Sequence, residues 1–466
     1  MDSKTHKFTP SILKAYDIRG VFGKDFNNVD AFFMGKAYGT FLRNLNKKSC
    51  VVGRDGRVSS EELQKHFMDG LITTGVSAID IGMVMSPCMY WSVWHLNGDA
   101  GMIITASHNP GEYNGFKMLT KENPVWGDDI QQLGKIAESG NFAIGNAKIT
   151  KANVREDYIK YVLSFLKINS KSKTLNIVFD TGNGVVGDII KDVIIKNIPG
   201  THKFLYEEVD GRFPNHLADP SLEKEMQDLK KAVLEGKFDF GISYDGDGDR
   251  LGFIDKEGYI YFGDEILDIL MRPFLKQNPG EKVLFEISSS QVLVDDIEKF
   301  GGVPVMWKPG HSAFKSKMKE DNIKIGGETS CHIYYGENHN FDDSLVATMK
   351  MINFLANGSD TLESIRKTFP KTYLTKKIKI KTPDDVIKYK APDNIADRMK
   401  LKGRKIIQID GARVYVNKSD WWLIRSSNTE PAMTARAEAM TQEGLEICKK
   451  ELIEQLKLEG FDISFE

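Results

Sequence analysis

Three short apolar runs constrain what this chain can fold into. Val51-Val52-Gly53, Ile177-Val178-Phe179 and Val283-Leu284-Phe285 are β-branched or aromatic, and each passes through polar loop residues into a helical-looking segment. In the first and third stretches a Gly-Val pair opens a second strand, at Gly75-Val76 and Gly302-Val303; Lys203 to Glu207 fills that place less distinctly in the second. A third strand then follows in each, at Gly101 to Thr105, Phe240 to Tyr244 and Ile323 to Ile325. Strands alternating with helices define βαβ units, in which mixed or mostly parallel sheets are covered on both faces. The sequence thus predicts an α/β protein built from three similar units.

The texture changes near Thr372. Lys376 to Lys381, the stretch Ile406 to Val416, and Ala432 to Ala439 alternate with period two, as half-buried strands do. A last helix is expected over Glu443 to Leu458, with Leu445, Cys448, Leu452, Ile453 and Leu456 on one face. This is a fourth, α+β module, joined through a hinge expected at Phe369-Pro370-Lys371. The domains are accordingly placed at 1–150, 151–254, 255–370 and 371–466, and 466 residues suffice for several separate cores.

Function should lie in the loops that leave these third strands, because open α/β sheets bind ligands beyond the carboxyl ends of their strands. The first strand empties into Ser107 and His108, within Thr105-Ala106-Ser107-His108-Asn109-Pro110-Gly111-Glu112-Tyr113-Asn114-Gly115. The second gives Asp245-Gly246-Asp247-Gly248-Asp249-Arg250, and the third Gly327-Glu328-Thr329-Ser330-Cys331-His332. In an extended loop, residues two apart share a side, so Asp245, Asp247 and Asp249 would crowd their carboxylates together. Like charges that close repel unless a cation lies among them, and an all-oxygen set suits Mg²⁺ or Ca²⁺. An EF-hand is excluded: where that loop needs Gly this chain has Arg250, and where it needs Glu it has Lys256. The alternative is a solvated acidic turn. Glu328, Ser330 and His332 also alternate, and a carboxylate beside short polar groups can accept two sugar hydroxyls. Arg425-Ser426-Ser427-Asn428-Thr429 offers a planar guanidinium with hydroxyl and amide donors, a set suited to phosphate, and Arg436 lies on the next strand.

Other classes are limited by composition and motif. A net charge of −2 gives no global pull toward nucleic acid or an anionic membrane. The four cysteines, Cys50, Cys88, Cys331 and Cys448, form no CxxC pair. Residues 1–20 lack the apolar core of a signal peptide and no long uncharged apolar run occurs, so a cytoplasmic protein is expected. Ser107 lies in no Gly-x-Ser-x-Gly elbow. One motif points elsewhere. Gly182-Asn183-Gly184-Val185-Val186-Gly187 follows a strand and precedes a helical run, with Glu207 and Glu208 about 20 residues on, which fits a dinucleotide-binding turn. An NAD-dependent oxidoreductase is therefore the alternative from another reaction class, and a non-catalytic sugar-phosphate binder a third.

Taken together, the Ser107 loop with Lys117, the upstream Lys14-Ala15-Tyr16-Asp17-Ile18-Arg19-Gly20, the Asp245 loop, Gly310-His311-Ser312, the Glu328 loop and the Arg425 loop resemble, in order, the α-D-phosphohexomutases of the phosphomannomutase/phosphoglucomutase branch. The resemblance spans essentially the whole chain. It implies three α/β domains and a C-terminal α+β domain around a central cleft, and reversible movement of phosphate between O1 and O6 of a hexose phosphate. It implies a phosphoserine at Ser107, Mg²⁺ held by Ser107, Asp245, Asp247 and Asp249, and a hexose 1,6-bisphosphate intermediate. His108, Arg19 and Arg250 are expected beside the transfer, with Lys117 as general base and His332 or His311 next; cations crowding Lys117 would lower its pKa. Tyr16, Lys117, His311, Glu328, Ser330, His332, Arg425, Ser427, Asn428, Thr429 and Arg436 are expected to contact substrate. Small hexose phosphates are the expected partners of a monomer or weak dimer, with mannose or glucose favoured and a phosphoglucosamine mutase as the alternative. Gly182, Gly184 and Gly187 become packing residues in this reading. Two positions depart from the family pattern: Cys331, usually Gly, and Ser288, where many members carry Lys.

Overall fold

The computed structural model describes residues 4–427 and 432–465. By their contacts these form two compact units, residues 1–273 with 310–363, and residues 274–309 with 364–466.

In the first unit the two leading sheets share one topology. The strand Ser49–Arg54 lies between Ser77–Met83 and Ala100–Ile104, parallel to both, and Tyr113–Thr120 adds antiparallel beyond Ala100–Ile104. In the next sheet Ile177–Asp180 lies between His202–Leu205 and Phe240–Tyr244, again parallel, with Leu251–Asp255 antiparallel beyond. The third repeat has corresponding parts: Ile325–Gly327 pairs antiparallel with Ile333–Tyr335 in the first unit, and Lys282–Glu286 pairs parallel with Val303–Trp307 in the second. Central strands such as Ala100–Ile104 and Phe240–Tyr244 are buried at every position, as covered sheets require. The helices Asn28–Asn44 and Ser60–Ile72 close over the first sheet, and Phe33, Phe67, Leu71, Val52 and Phe116 share its core.

The expected strand at Ile323 to Ile325 begins instead at Ile325. The helix His311–Glu320 ends through Asn322 at φ 54°, and the Ile323 amide caps it on the Met318 carbonyl, so Ile323 is spent closing a helix.

The second unit holds the antiparallel sheet expected of the last domain. Its order runs Tyr373–Leu374, Ala432–Ala439, Trp421–Ser426, Ala412–Tyr415, Lys405–Ile407, with Ile378–Lys381 also on Ala432–Ala439. The alternation over Ile406 to Val416 is two strands rather than one, because Asp410 at φ 53° and Gly411 at φ 131° turn the chain between them. The helices Asp385–Leu401 and Gln442–Leu458 bury Ile395, Met399, Leu452 and Leu456 against Trp422, Val414 and Ala435. The junction Phe369-Pro370-Lys371 lies within this unit, between the helix Leu362–Arg366 and the strand Tyr373–Leu374. Among the described residues no helix is long and apolar enough to cross a membrane.

Candidate active site

Three loops of the first unit leave the ends of equivalent strands, and the aspartate loop meets both of the others. Ser107 follows Ala100–Ile104 and is fully buried in the left-handed region, at φ 51°. Its amide donates to Thr105 Oγ1 at 2.9 Å, and its hydroxyl donates to Asp245 Oδ2 at 2.7 Å and lies 3.2 Å from His108 Nδ1. Residues 246–249 form a turn rather than an extended loop, with Gly248 at φ 78°. Curling, not alternation, brings Asp245, Asp247 and Asp249 together, each fully buried, with ligand atoms within 4.8 Å of one another.

Asp245 Oδ1 accepts from the amides of Gly248 and Arg250, at 3.0 and 3.1 Å. Asp247 Oδ2 accepts from Ser86 Oγ and Lys117 Nζ, both at 2.6 Å, and from Thr105 Oγ1 at 3.2 Å. Asp249 Oδ2 accepts from Lys117 Nζ at 2.7 Å. The remaining oxygens, Asp247 Oδ1 and Asp249 Oδ1, are buried without a hydrogen-bond partner among the described residues. Burial and the two neighbouring acids push Asp245 well above the usual carboxylate range. Burial raises Asp247 and Asp249 too, but Lys117, joined by the Ser86 hydroxyl at Asp247 and by His332 and Arg250 at Asp249, outweighs it and both lie below that range. Buried carboxylate oxygens left unpaired beside like charges fit a divalent cation held by oxygen.

The surroundings expected to lower the Lys117 pKa are reversed. Burial does lower it, yet Asp247 and Asp249 outweigh burial and hold Lys117 well above its ordinary value. Of the other expected bases, His311 is pushed well below the usual imidazole range, first by burial and then by nearby cations, and so is His108 beside Ser107. His332 accepts at Nε2 from Arg250 Nε, at 2.9 Å. Because the Arg250 Nε can only donate, the ring proton of a neutral His332 sits on Nδ1, which lies 2.8 Å from Asp342. A second possible metal group, Asp249, His332 and Asp342, already has a cation, the Lys315 ammonium 2.7 Å from Asp342.

Arg19 donates to Asn109 Oδ1 at 2.6 Å and Asp17 Oδ2 at 2.5 Å, and its Nε is buried with no partner among the described residues. Glu328 accepts from the Tyr334 hydroxyl at 2.5 Å and the Gly310 amide at 2.6 Å, so its carboxylate joins two loops. Gly310 is needed at φ 119°, and a Cβ there would meet the Tyr16 ring at 2.7 Å. Tyr16, Lys117, His311 and Ser312 border one cavity of about 250 Å³. Cys331 occupies a left-handed conformation at φ 72°, fully buried, which explains why glycine suits that position. Ser330 is half-buried in the same turn.

In the second unit the Arg425 guanidinium pairs with Asp410 at 2.9 Å. The Ser427 amide closes the loop on the Ala432 carbonyl at 2.8 Å, while Asn428 and Thr429 lie outside the described residues. Arg436, expected to point back toward that loop, instead donates to the carbonyl of Ser288 at 3.0 Å. Register explains this: Arg436 pairs with Leu423, whose face packs with Ile287.

The structure removes the dinucleotide reading of the Gly182 turn. A Cβ on Gly184 would meet Gly246 at 3.0 Å, and one on Gly246 would meet the Ser107 carbonyl at 2.5 Å. The turn therefore stacks on the aspartate loop, which stacks on the serine loop. Glu207, required for a ribose, pairs with Lys191 at 2.5 Å. Beside the turn, His216 lies 3.1 Å from the buried Asp180 carboxylate. Burial lowers its pKa, but Asp180 outweighs burial and pushes it up to about 9. Since the folded value exceeds the unfolded one, the pair's stabilisation is complete below about pH 6.5 and fades as pH rises through about 9. Its size is at most about 3 kcal/mol. Denaturant melts of His216→Leu should lose less stability than the parent across that window.

Residues the sequence reading passed over complete the site. Ser86 opens the helix Ser86–His95, and both its hydroxyl and its amide hold Asp247. Arg57 lies on the polar loop after the first central strand and reaches the serine loop. Both stand at sheet edges equivalent to those that were singled out, which is the one signal they carried.

A buried serine beside an acidic trio, at the strand ends of repeated α/β domains, is the site of a phosphohexomutase. The chain belongs to the phosphoglucomutase/phosphomannomutase family. The profiles of alpha/beta/alpha domains I, II and III match residues 10–143, 156–258 and 262–373, and that of the C-terminal domain residues 377–455. A phosphoglucomutase of Neisseria gonorrhoeae is 35% identical over 442 residues, covering 94% of this chain and 95% of that protein. A phosphomannomutase/phosphoglucomutase of Pseudomonas aeruginosa is 34% identical over 456 residues, covering 98% and 97%. The crystal structure of a phosphoglucomutase/phosphomannomutase family protein from Burkholderia thailandensis superimposes with a TM-score of 0.90 at 32% identity, covering 100% of both chains.

Proposed function

We propose that this enzyme moves phosphate reversibly between O1 and O6 of mannose or glucose phosphates, through a phosphoserine at Ser107 and a hexose 1,6-bisphosphate. The observation that carries this reading is the Ser107 hydroxyl 2.7 Å from Asp245, within an acidic trio that keeps two buried oxygens without a hydrogen bond among the described residues. Asp245, Asp247 and Asp249 would hold Mg²⁺, which would draw charge from the phosphoryl oxygens during transfer.

The chain's own groups carry the rest. A sugar hydroxyl attacks the phosphorus of phosphoserine; its P–O bond forms as the P–Oγ bond breaks. The hydroxyl proton leaves to a base and ends on Ser107 Oγ. The bisphosphate then turns end for end, and the Ser107 hydroxyl takes the other phosphoryl group, so phosphate is neither gained nor lost. Lys117, held charged between two acids, acts as a cation near the transferring group. His332 is the better acceptor, because its Nε2 lone pair is free once Arg250 turns to a phosphate oxygen. Arg19, whose Nε has no hydrogen-bond partner among the described residues, would add a donor. The Glu328 loop is proposed to read the hexose. Arg425, Ser427, Asn428 and Thr429 are proposed, from their sequence pattern, to grip the phosphate the sugar already carries.

The test supplies mannose, glucose and glucosamine 1-phosphates with Mg²⁺ and a trace of hexose 1,6-bisphosphate. The first two should be converted to 6-phosphates at least about tenfold faster than the third. No conversion of any of them would end the reading.

A further inference from the structure

Arg57 is 3% exposed and uses all five of its N–H donors. Nη2 donates to the carbonyls of Ser107 and Asn109, at 2.7 and 2.6 Å, and Nη1 to those of Pro110 and Tyr113, at 2.6 and 3.0 Å. Nε donates to Asp55 Oδ2 at 3.0 Å, and Asp55 is itself fixed by the Ser60 hydroxyl at 2.6 Å. The guanidinium also lies over the Phe213 ring, 5.0 Å from its centroid. One rigid fork therefore gathers four carbonyls from a single loop, an arrangement a lysine's three donors cannot reproduce. The same loop holds Ser107 at φ 51°, a conformation unfavourable for a residue with a Cβ, which persists only where its surroundings impose it.

We propose that Arg57 is a positioning residue for phosphoryl transfer: its guanidinium holds the Ser107 carbonyl and the carbonyls after it, so that Oγ stays aimed at Asp245 while the sugar, rather than the serine, moves between half-reactions. Among the described residues Arg57 makes no hydrogen bond to Ser107 Oγ or to Asp245, Asp247 and Asp249, and it acts through the backbone. The inference rests on the transfer chemistry proposed above, but its geometry can be judged without it.

The test compares Arg57→Lys and the milder Asp55→Asn with the parent by hydrogen exchange and by kinetics. The amides of residues 108–113 should exchange at least about tenfold faster in Arg57→Lys, with the strands Ala100–Ile104 and Phe240–Tyr244 still protected. The kcat should fall about 10²-fold with KM within about twofold, because positioning acts on the transition state more than on binding. Asp55→Asn should show the same split with a smaller loss. Loop protection unchanged in both variants, or kcat unchanged despite a loosened loop, would overturn the proposal. If Arg57→Lys does not fold, Asp55→Asn decides alone by the same two readings. An inactive parent whose variants still loosen the loop would instead fault the proposed function and leave the clamp standing.

Discussion

Ser107→Ala is expected to abolish turnover, lowering kcat by about 10⁴-fold or more, while the protein stays folded. The argument is chemical. With no Oγ there is nowhere for the phosphoryl group to rest between its two positions, and neither the aspartates nor Lys117 can replace it as a carrier. The structural cost is small, because alanine tolerates φ 51° no worse than serine and Asp245 keeps its bonds from the Gly248 and Arg250 amides. Melting should shift by a few degrees at most. Intact mass after incubation with hexose 1,6-bisphosphate should show one added phosphate on the parent and none on the variant. A variant that still isomerises, or still takes up phosphate, would show that the carrier is another residue.

Asp247→Asn is expected to separate metal binding from folding. Asp247 gives one oxygen to Ser86, Thr105 and Lys117 and keeps the other without a hydrogen-bond partner among the described residues. An amide preserves the shape but removes one of three crowded charges. The metal-free variant should therefore melt within a few degrees of the parent, while kcat at saturating substrate falls about 10²–10³-fold. The stabilisation that Mg²⁺ gives the parent, set by its occupancy of the folded state, should vanish. Scanning calorimetry with and without Mg²⁺, beside rates over a Mg²⁺ titration, reads both effects; an unaltered Mg²⁺ dependence would dismiss the metal assignment.

The local features of this site were legible because their chemistry is carried by adjacent residues. Ser107 after an apolar run, three aspartates at alternate positions, and the strand Phe240–Tyr244 all declare themselves within a few positions. The way the trio converges was not legible: alternation suggested an extended loop, whereas Gly248 at φ 78° curls it into a turn. The Gly182 turn was ambiguous for the opposite reason. Its glycines satisfy a nucleotide pattern and a packing pattern equally, and only the approach of Gly184 to Gly246 separates them.

The amino-acid order by itself determined that this protein has three similar α/β units and an α+β module, and which loops would carry hydroxyl, carboxylate and guanidinium groups. Hydrophobic period and turn composition are short-range properties, so a linear reading reaches them. Only the tertiary structure decided that Lys117 is clamped as a cation by Asp247 and Asp249, that the His332 ring proton lies toward Asp342, and that Ser86 and Arg57 belong to the site at all. Those outcomes depend on burial and on charges far apart in sequence, and a buried group's protonation is set by whichever partners the fold brings within a few ångströms.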